Sequence, residues 1–188
     1  MAAERKIIYG RLKKGYIASG EAKHINESLR IGKSLDEHQQ KVADMLRTVI
    51  SKNTIKDDIM VYRYVGDHAF SDMTGIKFPK SEGFLPTSAE GFAKMRDEFN
   101  SWIDDLPNQI KKGKVYKEKA FFSTSGVFDK NVFDNRRTLI KMKVPKGAKG
   151  YVTTNNRESE IIFDRPTVVI DGIEIDNGKI VINCGLKV

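Results

Sequence analysis

The spacing of apolar residues in the first half of the chain predicts amphipathic helices. Ser34-Leu35-Asp36-Glu37 has the pattern of a helix capping box, and the apolar residues after it recur on one helical face: Val42, Met45, Leu46, Val49 and Ile50. Thr87-Ser88-Ala89-Glu90 predicts the start of a second helix, whose buried side would contain Phe92, Met95, Phe99, Trp102 and Ile103. Pro107 is expected to end this helix.

The remaining pattern consists of short β-rich runs. Residues 59–65, between the two helices, predict a strand that Gly66-Asp67 turns. After about residue 115 further runs are separated by residues typical of turns: 120–124, 138–144, 150–153, 158–163, 168–175 and 179–183. Asn177-Gly178 predicts a hairpin between the last two. Helices followed by strands indicate an α+β fold with antiparallel sheets, in a single domain over residues 1–188 whose residues 1–20 form a peripheral N-terminal extension.

Basic residues are concentrated in one segment. The chain of 188 residues has a formal net charge of +8. Residues 106–150 contain ten lysines and two arginines against three acidic residues, a net charge of +9, so the remainder is nearly neutral. Such a segment is compatible with a nucleic-acid-binding surface or with a solvated lysine-rich face. No nucleic-acid-binding motif accompanies it, which argues against nucleic acid as the partner.

Composition excludes several classes of protein. No uncharged apolar run approaches the roughly 18 residues that cross a bilayer, so no membrane span is expected. Met-Ala-Ala-Glu-Arg-Lys leads into no apolar segment, so no signal peptide is expected in this chain. Cys184 is the single cysteine, which rules out an internal disulfide, and three scattered histidines provide no metal-ligand spacing.

Two acidic residues in the run 158–163 are candidates for catalysis. The two-residue period of a strand places Glu158 and Glu160 on one face and Ser159 on the other. Paired carboxylates can stabilise a sugar cation and activate a nucleophile. Taken alone, however, the pair is better explained as a solvent-facing strand end.

Hydroxyl residues and a strand arginine are further candidates. In Phe121-Phe122-Ser123-Thr124-Ser125-Gly126, alternation places Ser123 and Ser125 on one face and Thr124 on the other. These hydroxyls either close the strand or orient a carboxylate on a neighbouring strand. Arg63, between two tyrosines in the run 59–65, is suited either to a structural ion pair or to a bidentate phosphate contact.

Taken in order, these motifs resemble a known signature. Arg63, the Ser-Thr-Ser run at 123–125 and Glu158-Ser159-Glu160 resemble the Arg/STS/ExE signature of bacterial mono-ADP-ribosyltransferase toxins. The branch that they resemble contains the clostridial Rho-modifying exoenzymes and the actin-modifying enzymatic components of binary toxins. Three further stretches agree with family phrases: 25–30 with IN-x-x-LR, 61–66 with VYR-x-VG and 143–151 with xVPKGxKGxY. The resemblance covers roughly residues 20–188.

The resemblance implies N-terminal helices packed on two antiparallel β-sheets that form a cleft for NAD⁺. By carry-over, Arg63 would bind the pyrophosphate of NAD⁺. Ser123 would orient Glu160, the catalytic glutamate, which would stabilise the oxocarbenium ion as nicotinamide leaves. Thr124 and Ser125 would shape the nicotinamide pocket.

Four more positions match the family less directly. Residues 126–135 match its phosphate-nicotinamide loop, in which Phe133 would pack on the nicotinamide, with Phe128 as the alternative. Arg136 would close on the phosphates of NAD⁺. Asn26 and Arg30, on the first family helix, match positions that contact the adenine-side phosphate and ribose.

Glu158 and the loop before it match the family positions that select the acceptor side chain and the target protein. Glu158 would position or deprotonate the acceptor side chain, and the Glu-x-Glu form implies that this side chain is an arginine. Residues 152–157 are shorter than the family's usual target-recognition loop and lack its aromatic residue. The sequence therefore leaves the target protein open.

The predicted function is an NAD⁺-dependent mono-ADP-ribosyltransferase that modifies an arginine of a host protein, such as actin or a small GTPase. NAD⁺ would be its substrate, NAD⁺ glycohydrolysis a side activity, and no metal is implied. The protein would be a secreted or injected bacterial effector that acts in the host cytosol, and a separate delivery component is compatible with this. The alternative is a non-catalytic module with a basic nucleic-acid- or protein-binding face.

Overall fold

Five helices and eight strands are present in the computed structural model, which describes residues 2–13, 20–79, 88–128, 136–153 and 159–188. The described helices are α1 (Ala2–Lys13), α2 (Ala22–Ile31), α3 (Glu37–Lys52), α4 (Asp67–Thr74) and α5 (Ala89–Gln109). The described strands are β1 (Ile59–Val65), β2 (Lys114–Lys117), β3 (Phe121–Ser125), β4 (Thr138–Val144), β5 (Tyr151–Val152), β6 (Glu160–Asp164), β7 (Thr167–Asp176) and β8 (Lys179–Lys187). No helix among these is both long and apolar enough to cross a membrane.

The helix boundaries differ in detail from the sequence predictions. Asp36, two residues after the predicted Ser34, caps α3: its carboxylate accepts the Gln39 N–H at 2.8 Å, and the Gln39 side chain accepts the Asp36 N–H in return. Ser88 caps α5, with Gly91 N–H as its donor. Pro107 does not end α5, which continues to Gln109, because a proline this near the end removes only its own hydrogen bond.

The strands form one mixed sheet in the order β2-β7-β8-β4-β1-β3-β6-β5. Every pairing is antiparallel except β4 with β8, which is parallel, so the expectation of purely antiparallel sheets is corrected at this position. The predicted hairpin is confirmed: Asp176 pairs with Lys179 across Asn177-Gly178, both of which have positive φ. The sequence prediction missed α1, α4 and the short strand β2.

Two strand pairs form a continuous ribbon that bends where β2 passes into β3. β2 pairs with β7 and β3 with β6, and at the bend Glu118 N–H donates to the Pro166 carbonyl and Arg165 N–H to that of Ala120. In a flat sheet β2 and β3 would stand about 24 Å apart, five strand spacings. The residues between Lys117 and Phe121 span about 14 Å at most, so the sheet must curl. This curl divides the sheet into two arms, and we call the space between them the cleft.

β3 lies between two hydrophobic cores. Phe122 belongs to the larger core, which includes Val61, Phe70, Leu106, Met142 and Ile182. Phe121, the neighbouring residue, belongs to the smaller core under α1, α2 and α3, with Ile25, Leu46, Tyr151 and Ile162. Both faces of β3 are therefore covered, which also buries Ser123 and Thr124.

Candidate active site

Ser123 and Glu160 form a buried hydrogen-bonded pair across β3 and β6. The Ser123 hydroxyl donates to Glu160 Oε1 at 2.7 Å. Ser125 is the register partner of Glu160 and Ser123 that of Ile162, so Ser123 is the diagonal neighbour of Glu160 on the same face. Glu160 is only 1% exposed, so its carboxylate is held inside the protein although it stands at the first residue of its strand.

The residue before Glu160 interrupts the strand. Ser159 has φ +46°, in the left-handed region, so β6 begins at Glu160 and not at residue 158. The alternation that predicted Glu158 and Glu160 on one face therefore does not continue through Ser159. Gly126 N–H donates to the Ser159 carbonyl at 3.1 Å, which holds this kink against the end of β3. Glu158 itself lies outside the described residues.

The other two hydroxyls of the Ser-Thr-Ser run bind backbone atoms. Thr124, buried, donates to the Ile161 carbonyl at 2.9 Å and so pins β3 to β6. Ser125 donates to the Val127 carbonyl at 2.7 Å and accepts the Val127 N–H, which forms the turn that ends β3. Of the three hydroxyls, Ser123 is the one that the structure places on the Glu160 carboxylate.

Arg63 connects β1 to the middle of β3. Its guanidinium donates to the Ser123 carbonyl at 2.9 Å and lies 4.4 Å from the centre of the Phe122 ring. Val61 and Val65, two residues away on either side, are buried, so Arg63 emerges from the margin of the larger core. A single hydrogen bond to a carbonyl uses one of the five guanidinium N–H groups, which leaves capacity for a phosphate.

A buried acid that sequence reasoning missed holds the second arginine. Glu118, 6% exposed, stands at the bend between β2 and β3. Its carboxylate accepts the N–H groups of Lys119 and Ala120 and the hydroxyl of Tyr116. Arg30 of α2 donates to both of its oxygens, at 3.2 and 3.4 Å. The only sequence feature that could have drawn attention to Glu118 was its position as an isolated acid among lysines just before an apolar strand.

These residues make the neighbourhood of Arg63 strongly positive. Burial, and then the positive charge of Arg30, lower the pKa of Arg63 to about 10, with Arg136 acting in the same direction. Glu118 opposes the change. Burial and the nearby Glu118 carboxylate also raise the pKa of the Tyr116 hydroxyl. Arg30 and Arg63 beside one buried carboxylate leave an excess of positive charge that fits a diphosphate.

The structure places the less direct candidates as follows. Asn26 Oδ1 accepts the Phe121 N–H at 3.0 Å, which ties α2 to β3. Arg136 donates to the Tyr64 carbonyl at 2.9 Å and so lies beside β1. Phe128 packs on Tyr62, with ring centres 5.2 Å apart. Phe133 lies outside the described residues.

β3 thus organises two chemically different ends of the cleft. The arginines and Glu118 gather beside its start and middle, and Ser123 presents Glu160 near its end. No group of three or more His, Cys, Asp or Glu residues that could hold a metal ion occurs in the described part of the chain. A cationic site together with a fixed carboxylate can bind an anionic substrate and stabilise a positive charge that develops elsewhere on it.

Similar folds occur in bacterial toxins of known structure. Plx2a, an ADP-ribosyltransferase toxin from Paenibacillus larvae, is 22% identical, with a TM-score of 0.65 over 100% of this chain and 87% of that chain. C3stau2 from S. aureus, solved with NAD, is 19% identical, with a TM-score of 0.67 over 98% and 87%. BECa, an ADP-ribosylating toxin of a binary enterotoxin of C. perfringens, solved with NADH, is 20% identical, with a TM-score of 0.64 over 100% of this chain and 44% of that chain.

The fold and the site together define a bacterial ADP-ribosyltransferase toxin of the class anticipated from the motifs. The chain matches the family model for ADP-ribosyltransferase exoenzymes over residues 3–186. It therefore belongs to the ADP-ribosyltransferase exoenzyme family. A search of the curated proteins finds no match.

Proposed function

We propose that the protein transfers ADP-ribose from NAD⁺ to an arginine side chain of a host protein. The observation that carries the proposal is the arrangement along β3: Ser123 holds the buried carboxylate of Glu160, and Arg63 of β1 and Arg30 of α2 form a cationic site beside the same strand. Family membership supports the transferase chemistry. The proteins solved with NAD and NADH support NAD⁺ as the donor.

Each described residue has one role in this proposal. Arg63 and Arg30 bind the diphosphate of NAD⁺, which orients the molecule along the cleft. Glu160 stabilises the positive charge that develops on the ribose as the bond from its C1′ to the nicotinamide nitrogen breaks and the electron pair leaves with nicotinamide. Ser123 fixes the rotamer of Glu160, so this stabilisation requires no rearrangement during the reaction.

Acceptor specificity depends on Glu158. An arginine side chain is a poor nucleophile while it is protonated, so a carboxylate beside it assists the attack of a guanidinium nitrogen on C1′ by removing its proton. Water needs less assistance, so NAD⁺ glycohydrolysis accompanies the transfer as a side activity. The Glu-x-Glu form at 158–160 supports arginine as the acceptor, and actin and small GTPases are the targets to test first.

The proposal includes delivery into a host cell. Family membership among exoenzymes supports a secreted or injected effector. The similarity to an ADP-ribosylating toxin of a binary enterotoxin supports delivery by a separate component.

The test measures transfer of label from radioactive NAD⁺ to proteins of a host-cell lysate by the wild-type protein and by Glu160→Ala. We expect labelling by the wild type and a loss of about a hundredfold or more in the variant, as for removal of a preorganised electrostatic group. Equal labelling by both proteins, or no NAD⁺ turnover by the wild type, would contradict the proposal. In that case salt-sensitive DNA binding without NAD⁺ affinity would support the non-catalytic module instead.

A companion variant separates the two acids. Glu158→Gln should abolish transfer to arginine and retain appreciable NAD⁺ hydrolysis. Mass spectrometry of the modified protein gives the acceptor residue, and chromatography of free ADP-ribose measures the hydrolysis. If both activities fall equally, Glu158 does not act on the acceptor.

A further inference from the structure

Four lysines surround an open depression on the surface. The depression has a volume of about 620 Å³ and is lined by the end of α3, the segment after it and the turn after β4, including Lys52, Lys56 and Lys146. Lys149 borders it, with its ammonium group on the Thr54 hydroxyl at 2.7 Å. We call these four lysines the lysine patch. The acidic residues at its margin are Asp57 and Asp58, so positive charge remains in excess.

Folding makes little use of these charges. Among the described residues, the side chains of Lys52, Lys56 and Lys146 have no hydrogen bond or ion pair, and all three are exposed. The Asp58 carboxylate accepts the backbone N–H of Lys146, at 2.7 Å. Like charges gathered around a depression repel one another, so the patch gains stability only when something negative covers it.

The patch is connected to the candidate active site through β5. Thr54 forms a bridge with Lys149, and β5 starts two residues later at Tyr151. Thr153, which follows β5, donates its N–H to the Glu160 carbonyl at 2.9 Å. Lys149 and Thr153 are four residues apart, about 13 Å along extended chain. Thr153 belongs to the segment 152–157, which matches the target-recognition loop of the family.

The size of a typical protein interface allows a protein seated over Glu160 to extend towards this patch. A standard protein interface covers about 800 Å² on each partner, which corresponds to a disc of about 16 Å radius. A target centred beside Glu160 therefore extends about as far as Lys149, at the border of the depression. Because the segment 152–157 is short and lacks an aromatic residue, contacts beyond it are needed to select a target.

We infer that the lysine patch is a docking surface for an acidic region of the target protein, next to the residue that is modified. The inference rests on the proposed function, because it assigns a second contact of the same target. Complementary charge across the rim of an interface accelerates association and selects the partner. A target with acidic side chains about 15 Å from its modified residue fits this surface.

The test compares two triple charge reversals. Lys52→Glu, Lys56→Glu and Lys146→Glu are combined in the patch variant, and the control combines Lys77→Glu, Lys111→Glu and Lys112→Glu, three exposed lysines near β2, the opposite edge strand. Lys114 is left unchanged because its ammonium group donates to the Thr74 carbonyl. Both triples change the net charge equally. A variant with glutamine at the same three patch positions removes the charges without reversing them, and it controls for misfolding of the charge-reversed variant.

The readouts are the initial rate of incorporation of labelled ADP-ribose into precipitated lysate protein, at rate-limiting lysate concentration, and NAD⁺ hydrolysis without lysate. We expect incorporation by the patch variant to fall about tenfold or more and to lose its dependence on salt concentration. Incorporation by the glutamine variant should fall less, and that by the control should change by less than about twofold. NAD⁺ hydrolysis should be unchanged in all three.

The outcomes separate the two proposals. Two results, each with normal NAD⁺ hydrolysis, overturn the docking inference alone. In the first, incorporation is unchanged in the patch variant; in the second, it falls equally in the patch variant and in the control. Absence of NAD⁺ hydrolysis in the wild type overturns the proposed function, and the docking inference with it.

Discussion

The two ends of β3 each bring a buried glutamate to the cleft, but they hold it in different ways. Glu118, before the strand, has an arginine, a tyrosine hydroxyl and two backbone N–H groups on its carboxylate. Glu160, opposite the end of the strand, is held by the hydroxyl of Ser123. Arg30 places a positive charge on the Glu118 carboxylate, whereas the Ser123 hydroxyl that donates to Glu160 is neutral.

This difference assigns the two carboxylates to different tasks. The hydrogen bonds of Glu118 satisfy the backbone at the bend of the ribbon and fix an arginine of the cationic site, so this residue serves the fold and the placement of a charge. The Glu160 carboxylate is buried and fixed by Ser123, a position from which it can stabilise a positive charge that forms nearby. We therefore expect substitutions at Glu118 to act mainly on stability and those around Glu160 mainly on rate.

The largest expected effect in this comparison is that of Glu118→Ala on stability. The substitution removes the acceptor of two backbone N–H groups and leaves Arg30 beside Arg63 without a counter-charge. We expect the free energy of unfolding to fall by about 2–4 kcal/mol, less than for a fully buried ion pair, because Arg30 is 37% exposed and can turn towards water. Urea denaturation measures the change.

A matched control is Glu174→Ala, which removes the partner of Lys141 in an ion pair whose glutamate is 52% exposed. This substitution should change the free energy of unfolding by no more than about 0.5 kcal/mol. If the two variants lose the same amount, the hydrogen bonds of Glu118 do not stabilise the bend.

Ser123→Ala is expected to have a smaller effect, and mainly on rate. Without the hydroxyl, the Glu160 carboxylate loses the bond that fixes its rotamer, and we expect kcat for NAD⁺ hydrolysis to fall about tenfold while the free energy of unfolding falls by about 1 kcal/mol. The control is Thr124→Val, because the Thr124 hydroxyl binds the Ile161 carbonyl and not a carboxylate. A rate loss in Thr124→Val as large as in Ser123→Ala would show that the strand pairing, and not the orientation of Glu160, limits the reaction.

The sequence predicted the Glu160 end of β3 better than the Glu118 end. The pairing of Ser123 with Glu160 could be anticipated because both belong to a short ordered motif and the strand period places hydroxyls on a defined face. β1 was predicted with the bounds that it has, since all seven of its residues except Arg63 are apolar or aromatic. Ser159 could not be anticipated in this way, because a left-handed residue in a strand-like run leaves no trace in hydrophobic spacing.

The Glu118 end depends on contacts between distant parts of the chain. Glu118 meets Arg30, 88 residues earlier, and the bend itself exists because β2 and β3 pair with different strands. β2 has only four residues, too few for a pattern to be recognised. The two-core arrangement around β3 has the same origin, since Phe121 and Phe122 look alike in sequence and face opposite cores.

The smallest expected effect concerns the pH dependence of NAD⁺ binding. Burial and the neighbouring Arg30 lower the pKa of Arg63 to about 10, from an ordinary value well above the range in which proteins are studied. A base with a lowered pKa loses its positive charge as the pH rises through that value, so the affinity for the diphosphate falls in the same direction. At a pH equal to the pKa, half of the Arg63 side chains are neutral, and the dissociation constant of NAD⁺ should be about twice its value at pH 8.

Equilibrium dialysis with labelled NAD⁺ between pH 8 and 10.5, in a Glu160→Gln background that does not consume the ligand, measures this change. Lysines also titrate near pH 10.4, so the same profile is recorded for Arg63→Ala in that background, and the step that belongs to Arg63 is the difference between the two. Parallel profiles would mean that Arg63 keeps its charge throughout, and that Glu118 at the start of the strand compensates it more fully than the crowding of three arginines suggests.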